Sequence, residues 1–417
     1  MAYDEPASAD IEQQSITTLD HFYKLMHQTC SVRTSIVNDI LAGKPAAPDA
    51  IQSLNNARIS LENIATAPNG AILALDRTSR ITLDLSYEVL ELEKDIIYLT
   101  DGVEALMRHF NNIHDGFDKQ VDAGVAFLSD VSFATFITDR DGTVNNYCGR
   151  YLSSIQSVYN AIFLALFARK CITHGVILTS APLANGGLVD ISVLPPGEFI
   201  LAGSKGREFR DRAGQLRMLE IPSQQQELLD TLNARLSELL AQPGNEKFAL
   251  IGSGYQQKFG QSTLARQDIT KSIPAAESQN LLESVTSLVA ELDPHHTGLR
   301  IEDTGLDIEI MLTIDNDGQS KDFDKGDGVL FLDRELNLEI GTGPNLVCGD
   351  TGSDVAMART CSERCSQSYS VFVTTKKELR QSVTDACPHS FFATTPDVLV
   401  TMLYELANHG ITPERES

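Results

Sequence analysis

The stretch Val131-Ser-Phe-Ala-Thr-Phe-Ile-Thr-Asp-Arg-Asp-Gly-Thr143 decides the fold. Its first eight residues are a β-branched and aromatic run, which predicts a short buried strand. The apolar pattern predicts a helix at about 153–169 and a second strand at 175–179. A strand, a helix and a strand in this order predict a parallel sheet, where reactive groups collect at the carboxyl ends of strands. Asp139 and Asp141 therefore follow a strand at the position where such proteins place their chemistry.

A second acidic motif, Gly349-Asp350-Thr351-Gly352-Ser353-Asp354, follows another predicted strand at 345–348. Its small residues leave space for a metal ion and its waters, as Mg²⁺ sites with few protein ligands require. Taken alone, the first motif also fits an acidic turn and the second a helix N-cap. The pairing of the two motifs at strand ends favours a site for phosphoryl transfer, because a carboxylate attacks phosphorus only when a cation offsets the repulsion.

Two further elements suit the same chemistry. Lys325, in a Lys-Gly-Asp-Gly-Val segment ahead of the second motif, offers a charge that neutralises the aspartate and the phosphoryl group. Thr179 ends the second predicted strand and precedes Ser180, and a hydroxyl there donates to a phosphoryl oxygen. Lys325 is equally compatible with a surface lysine before a helix, and Thr179 with an ordinary strand end.

Length and charge limit the class of protein. A chain of 417 residues predicts two or three domains. Its 57 acidic and 33 basic side chains give a net charge of -24, which repels nucleic acid and anionic lipid. The first residues lack a secretory pattern and no apolar run reaches membrane-spanning length. We therefore expect a cytoplasmic protein without nucleic-acid or membrane partners, whose seven cysteines are reduced thiols.

Apolar residues at three- and four-residue spacings predict a helical bundle over the first 127 residues. The predicted helices are 11–28, 31–41, 49–64 and 84–110. The longest carries a near-heptad apolar repeat that fits either an internal seam or a dimer contact. The repeat consists of Leu85, Val89, Leu92, Ile96, Leu99, Val103 and Leu106.

Residues 189–324 have their own alternation of strands and helices, which predicts an inserted α/β domain rather than a loop. The predicted strands are 198–203, 247–251, 263–267 and 307–313, and the predicted helices are 222–240 and 275–292. The expected organisation is a helical bundle at 1–127, a catalytic core at 128–188 and 325–417, and a cap at 189–324.

The order of these elements resembles the haloacid dehalogenase superfamily of phosphotransferases. The resemblance implies a Rossmann-like parallel-sheet core, with Asp139 as nucleophile and Asp141 as general acid and base. It also implies phosphate binding by Thr179, Ser180 and Lys325. The metal ligands it implies for Mg²⁺ are Asp139, Asp141 through its backbone carbonyl, Asp350 and Asp354.

The α/β insertion between the second and third elements resembles the cap of trehalose-6-phosphate phosphatases. Gly203-Ser-Lys-Gly-Arg-Glu208 and Gln257-Lys-Phe-Gly-Gln-Ser262 are similar to that family's sugar-binding segments, with Lys205 and Gln257 as departures. Arg140, between the two aspartates of the first motif, also departs from the family pattern. The resemblance implies sugar contacts from Lys205, Gly206, Glu208, Lys258, Arg266 and Glu309.

The expected function is Mg²⁺-dependent hydrolysis of a phosphorylated sugar, first of all trehalose 6-phosphate, through an aspartyl-phosphate. The alternatives are a phosphatase for glucosylglycerol phosphate, sucrose phosphate or mannosyl-phosphoglycerate, and a non-catalytic sugar-phosphate sensor or scaffold. The N-terminal helices are expected to form a homodimer, cover the active site or bind a synthase.

Overall fold

Residues 10–67, 70–75, 80–313 and 323–409 are described by the structure, a computed structural model. Three parts of the predictions lie outside these residues. They are the predicted absence of a secretory signal at 1–9, the end of the predicted cap at 314–322 and the end of the predicted core at 410–417.

Four helices lie in the described part of the N-terminal segment. They are α1 (Leu19–Leu41), α2 (Pro48–Glu62), α3 (Ser86–Ile113) and α4 (Phe117–Leu128). The two helices predicted at 11–28 and 31–41 form the single helix α1, which begins after Thr18 because the Thr18 side chain accepts a hydrogen bond from the His21 N–H. Gly102, at φ +81°, interrupts α3 within the predicted apolar repeat. Leu92 and Leu106 of that repeat are buried, and Ile96 is partly buried.

A small antiparallel sheet between α2 and α3 differs from the expectation of helices alone. Its strands are β1 (Thr66–Ala67), β2 (Gly70–Ala74) and β3 (Arg80–Leu83). Ala71 and Leu73 alternate with half-buried neighbours, as do Ile81 and Leu83, which gives the sheet one buried face. Strands of two to five residues are too short for an apolar period to reveal them.

An eight-stranded sheet forms the centre of the molecule. Its strands are β4 (Phe133–Thr138), β5 (Ile172–Leu178), β6 (Ile200–Gly203), β7 (Glu208–Arg210), β8 (Leu216–Met218), β13 (Asn345–Gly349), β14 (Ser368–Val373) and β15 (His389–Ala393). The order is β15-β14-β13-β4-β5-β6-β7-β8, and the pairs from β15 to β6 are all parallel. This sheet confirms the predicted α/β core, with the two acidic motifs on the neighbouring strands β4 and β13.

Helices cover both faces of this sheet, which is why its strands are nearly continuous apolar runs. These helices are α5 (Val158–Cys171), α6 (Leu188–Ile191), α9 (Lys325–Leu336), α10 (Val355–Arg364), α11 (Lys377–Ala386) and α12 (Pro396–His409). On one face α5 and α12 pack together, and α1, α3 and α4 pack against them. The N-terminal helices and the sheet therefore share one hydrophobic core.

A second sheet is antiparallel. Its strands are β9 (Tyr255–Lys258), β10 (Gln261–Ala265), β11 (Leu299–Asp303) and β12 (Asp307–Leu312), and the helices α7 (Ser223–Leu240) and α8 (Ala275–Leu292) accompany it. The strand order is β11-β12-β10-β9. The prediction of a strand at 247–251 is wrong, because Glu246–Ala249 is a short 3₁₀ turn that buries Phe248.

The strands at 200–218 lie in the larger sheet and not in this smaller one, which differs from their predicted place in the cap. They do so because β6 pairs in parallel with β5, and β7 and β8 then fold back on it as antiparallel strands. The division into three domains at 127, 188 and 324 stays a prediction.

All seven cysteines are free thiols. Within the described ranges, we find no helix with both the length and the apolar character that a membrane crossing requires.

Candidate active site

The first acidic motif forms a tight turn at the end of β4. Asp139 is 6% exposed, and its N–H donates to the carbonyl of Cys348 at the end of β13. Gly142 has φ +87° and its N–H donates to the Asn145 carbonyl. A Cβ atom at this position would lie 2.3 Å from Asp350 Oδ2, so only glycine lets the two acidic motifs approach each other.

The second motif brings two further carboxylates to the same place. Asp354 Oδ2 accepts hydrogen bonds from the N–H groups of Asp350 and Thr351 and from Thr351 Oγ1, at 3.1, 2.9 and 2.8 Å. The carboxylates of Asp139, Asp350 and Asp354 each offer an oxygen, and these oxygens lie within 4.8 Å of one another. Parallel pairing of β4 with β13, which aligns Thr138 with Cys348, brings the two strand ends together.

Lys325 connects two of these carboxylates. It is the first residue of α9, and Asp324 caps that helix by accepting from the Asp327 N–H at 3.0 Å. Lys325 Nζ donates to Asp139 Oδ1 at 2.5 Å and to Asp354 Oδ1 at 2.6 Å. Burial alone would lower the pKa of Lys325, but the two carboxylates raise it, so the ammonium stays charged.

The cluster carries more negative charge than Lys325 balances. Burial, together with the charges of Asp139 and Asp354, raises the pKa of Asp350 to about 8. Burial also raises the pKa of Asp139. Carboxylate oxygens in this number and proximity are the ligands that Mg²⁺ prefers, and a bound cation would stabilise the charged form that burial and the neighbouring carboxylates disfavour. The residues present therefore fit a divalent cation.

Asp141 points into a cavity beside this cluster, where Ser154 and Arg140 hold its carboxylate. Ser154 Oγ donates to Asp141 Oδ1 at 2.7 Å, and Arg140 Nη1 donates to the same oxygen at 2.5 Å. Arg140 is 2% exposed and also donates to the backbone carbonyls of Ser154 and Ile191. These acceptors explain how a charged residue is tolerated between two aspartates.

Thr143 is a contact that the sequence did not single out. Its Oγ1 lies 3.3 Å from Asp139 Oδ2 and 3.2 Å from Asp350 Oδ1, so one hydroxyl contacts both motifs. Thr143 is the last residue of the first acidic motif, so its position in the motif could have indicated this contact. Ser154 lies in an irregular segment after the motif, and no pattern in the sequence indicated it.

The predicted phosphate-binding hydroxyls follow β5 on the other side of β4. Thr179 is 4% exposed, and its Oγ1 accepts from the Ala181 N–H at 3.2 Å. Thr179 and Ser180 line the same cavity as Asp141.

The segment Gly203–Glu208 belongs to the larger sheet, since it joins β6 to β7. The Lys205 N–H donates to the Thr179 carbonyl, which ties this turn to the end of β5. Glu208 Oε1 accepts from the Leu183 N–H at 3.1 Å and from Ser204 Oγ at 2.6 Å, so its carboxylate stabilises the turn. A Cβ atom at Gly206 would lie 2.8 Å from the Gly328 Cα, so this glycine allows the turn to approach α9.

The remaining predicted sugar contacts are spread over different surroundings. Lys258 lines the cavity, and burial lowers its pKa to about 8, while Glu309 and Asp307 oppose that shift. Arg266 Nη1 binds Asp303 Oδ2 at 2.7 Å and Arg266 Nε donates to Ser278 Oγ, so its guanidinium faces β11 and α8.

Lys205 lines a separate cleft that also contains Lys325. Glu309 lies on β12 opposite Thr263 of β10.

The cavity that Asp141 lines lies between the two sheets. Its wall on the side of the larger sheet comes from the segment after the first motif, and its wall on the side of the smaller sheet comes from β9, β12 and the loop after β10. The first wall consists of Asp141, Tyr147–Tyr151, Ser154 and Thr179–Ala181, and the second of Gly252, Ser253, Gln256, Lys258, Gln267–Ile269, Leu306 and Asp307.

Comparison with known families gives two matches that together cover most of the chain. Residues 136–399 match the family described as "Trehalose-6-phosphate phosphatase, C-terminal". Residues 18–116 match the family described as "Trehalose-6-phosphate phosphatase N-terminal helical bundle domain".

Among curated relatives, the chain is 33% identical over 416 residues to the "Alpha,alpha-trehalose-phosphate synthase [UDP-forming] 2" of Aphelenchoides avenae. That alignment covers 94% of this chain but 32% of the relative, so the chain spans about a third of that protein's length. The chain is 27% identical to the "Trehalose-phosphatase" of Caenorhabditis elegans, with 95% of this chain and 97% of the relative covered.

Among solved structures, the C-terminal domain of a C. albicans trehalose-6-phosphate phosphatase is similar at 15% identity and a TM-score of 0.46. This similarity covers 69% of this chain and 96% of that one.

Proposed function

Because the chain belongs to the trehalose-6-phosphate phosphatase family, a family of phosphoric monoester hydrolases, we propose that it hydrolyses trehalose 6-phosphate to trehalose and phosphate. The observation that carries this proposal is the juxtaposition of Asp139, Asp350 and Asp354 with Lys325 at the ends of two parallel strands. The relatives named trehalose-phosphatase, which this chain covers almost from end to end, support the choice of substrate.

Asp139, Asp350 and the backbone carbonyl of Asp141 would hold Mg²⁺, with Asp354 bound directly or through water. The ion would offset the negative charge of the phosphoryl group. A carboxylate oxygen of Asp139 then forms a bond to phosphorus while the bond from phosphorus to the sugar oxygen breaks. Lys325 and Thr179 donate to the phosphoryl oxygens and stabilise their charge.

Asp141 moves the protons in both halves of the reaction. Its carboxyl group first donates a proton to the leaving sugar oxygen, and its carboxylate then accepts a proton from the water that attacks the aspartyl-phosphate. The contacts from Ser154 Oγ and Arg140 Nη1 hold Asp141 Oδ1 on the cavity wall, where the leaving oxygen would lie. Hydrolysis returns Asp139 to its free form and releases phosphate.

A phosphate-release assay tests the proposal. We expect turnover of trehalose 6-phosphate with Mg²⁺ and its loss when EDTA is added, because three carboxylates must share the site with an anion. Glucosylglycerol phosphate, sucrose phosphate and mannosyl-phosphoglycerate are compared at equal concentration.

A higher kcat/KM for one of these three would replace the proposed substrate and keep the reaction. Binding of sugar phosphates without any turnover in Mg²⁺ would contradict the proposal and indicate a sensor or scaffold.

A further inference from the structure

One face of helix α3 contacts the segment 145–153, which follows the first acidic motif. Glu91 follows Tyr87 by four residues and Glu88 by three, so its side chain lies on the same side of the helix as each of theirs. Asn145 Nδ2 donates to Tyr87 Oη at 3.0 Å, and Asn146 Nδ2 donates to Glu91 Oε1 at 3.0 Å. These asparagines come directly after the acidic turn, so an N-terminal helix holds the start of the cavity wall.

Glu88 holds the other end of the same wall. Its carboxylate accepts from Arg150 Nη2 at 2.8 and 2.9 Å and from Ser153 Oγ at 2.6 Å. Glu88 is 0% exposed and Arg150 is 5% exposed, so the pair has little water to compete for its hydrogen bonds. Such a buried pair fixes the geometry of its loop, because separating it would leave an uncompensated charge in the interior.

Tyr147 lies between these two anchors, and its surroundings are different. It is 65% exposed although its anchored neighbours are buried or half-buried, and it lines the cavity that Asp141 also lines. Ile269 of the opposite wall is 55% exposed and lies beside Gly149, close to the Tyr147 ring. When a ligand covers an exposed ring and an exposed isoleucine at one cavity, the burial of their apolar surface stabilises the complex.

Polar side chains also line this cavity. Asp141, Gln256, Lys258, Asp268 and Asp307 supply hydrogen-bonding and charged groups around the apolar pair. A sugar has hydroxyl groups at the ring edge and C–H groups on the ring face, so it suits a wall of polar side chains beside an apolar surface.

We infer that Tyr147 packs against the sugar part of the substrate, and that Glu88 and Glu91 of α3 are positioning residues that hold the 145–153 segment for this contact. The inference rests on the proposed function, since a sugar phosphate must enter this cavity. It gives the N-terminal helices a part in substrate selection, in addition to any role in a dimer or with a synthase.

The test compares kcat/KM for trehalose 6-phosphate with kcat/KM for glycerol 2-phosphate, which lacks a sugar ring, in the full chain. We expect Tyr147→Ala to lower this ratio about tenfold through KM, the effect of losing one buried apolar contact. Tyr147→Phe keeps the ring, so its ratio stays within about twofold of the original.

Glu88→Gln tests the positioning role, because it keeps the shape of the side chain but removes the charge that pairs with Arg150. We expect it to lower the ratio through a higher KM for trehalose 6-phosphate. Glu93→Gln is the matched control, since Glu93 is exposed on the same helix, and its ratio should not change. If Glu88→Gln fails to fold, the two Tyr147 variants still decide the inference, because Tyr147 is at the surface.

An unchanged ratio in Tyr147→Ala overturns the inference while the proposed function stands. An equal fall of kcat for both substrates also overturns it. If the original protein prefers another sugar phosphate in the screen, the proposed substrate fails and the ratio is measured with that sugar phosphate instead. If no sugar phosphate is hydrolysed, the inference fails together with the proposed function.

Discussion

Two buried lysines of this protein each lie between two carboxylates, but their surroundings differ. We call the first group, Asp139, Asp350, Asp354 and Lys325, the active-site cluster, and the second, Glu91, Lys94, His114 and Asp397, the core cluster. In the core cluster Lys94 Nζ donates to Glu91 Oε1 at 2.8 Å and to Asp397 Oδ2 at 2.9 Å. Lys94 thereby joins α3 to α12.

The two clusters differ in how well their negative charge is matched. Asp397 also accepts from Tyr159 Oη at 2.5 Å and Asn146 Nδ2 at 2.9 Å, and His114 Nε2 lies 2.7 Å from it. Burial alone would raise the pKa of Asp397, but Lys94 and these partners hold it well below its usual value. In the active-site cluster the pKa values of Asp139 and Asp350 are raised instead. A matched buried cluster serves structure, whereas an excess of acceptors suits a cation.

The largest expected effect is that of Asp139→Asn. We expect turnover to fall by at least ~10⁴-fold, because the amide cannot attack phosphorus. The free energy of unfolding without metal should not fall, since the change removes one of the excess charges. Phosphate release and urea unfolding measure the two quantities. Near-normal turnover in this variant would exclude Asp139 as the nucleophile.

Lys94→Met tests the opposite property of the core cluster. We expect a loss of about 3–5 kcal/mol in the free energy of unfolding, because Glu91 and Asp397 are left buried without their cation. Urea unfolding measures it, with Lys44→Met as the control.

Lys44 forms an exposed pair with Asp39 at 3.6 Å, and exposed pairs contribute at most about 1 kcal/mol. Equal losses in the two lysine variants would show that the core cluster does not stabilise the fold.

We expect the active-site cluster, and not the core cluster, to bind Mg²⁺. Mg²⁺ at about 100 times its Kd should raise the free energy of unfolding by about 2.7 kcal/mol if it binds only the folded protein. We expect Asp350→Asn to lose most of this increase, because it removes one of the three clustered carboxylates. Thermal unfolding with and without Mg²⁺ measures the effect, and an equal increase in Asp350→Asn would place the ion elsewhere.

The two clusters should also differ in how the stability of the fold depends on pH. Folding favours the protonated form of Asp350, because its pKa of about 8 in the folded protein exceeds the value of about 3.9 in an unfolded chain. This contribution is fully present below the unfolded value and is lost as the pH rises through about 8.

With EDTA present, we therefore expect the free energy of unfolding to fall from about pH 5 to about pH 8, and Asp350→Asn to reduce that slope. The lowered pKa of Asp397 acts in the acid range instead, so the core cluster stabilises the fold above its unfolded value of about 3.9 and weakens as the pH falls below it. Urea unfolding from the acid range up to about pH 8 measures both trends. A slope that is the same in Asp350→Asn would assign the pH dependence to other groups.

The sequence predicted the active-site cluster better than its surroundings. Asp139 and Asp350 stand next to short apolar runs whose strands are local features, and the parallel sheet that follows brings strand ends together. The sugar contacts predicted from 203–208 could not be placed in the same way. Glu208 lies in the larger sheet because β6 pairs with β5, and strand pairing over such distances is not visible in a local pattern.

The role of α3 was also beyond the sequence. Its apolar repeat predicted an internal seam or a dimer contact. The polar side chains of Tyr87, Glu88 and Glu91 indicate a solvated face until their partners at 145–153 are known. Buried charges are tolerated only when paired, so the burial of Glu88 depends on Arg150 and Ser153, which lie 62 and 65 positions away.

The sequence by itself determined the α/β core and the order of the acidic motifs, because both depend on short-range patterns of apolar and polar residues. The family resemblance added the prediction that Asp139 is the nucleophile. Only the tertiary structure decided which buried charges are matched and which remain in excess, because that balance depends on contacts between distant segments. It also decided that an N-terminal helix supports the cavity wall beside Asp139, since Glu88 meets Arg150 only after α3 packs against the core.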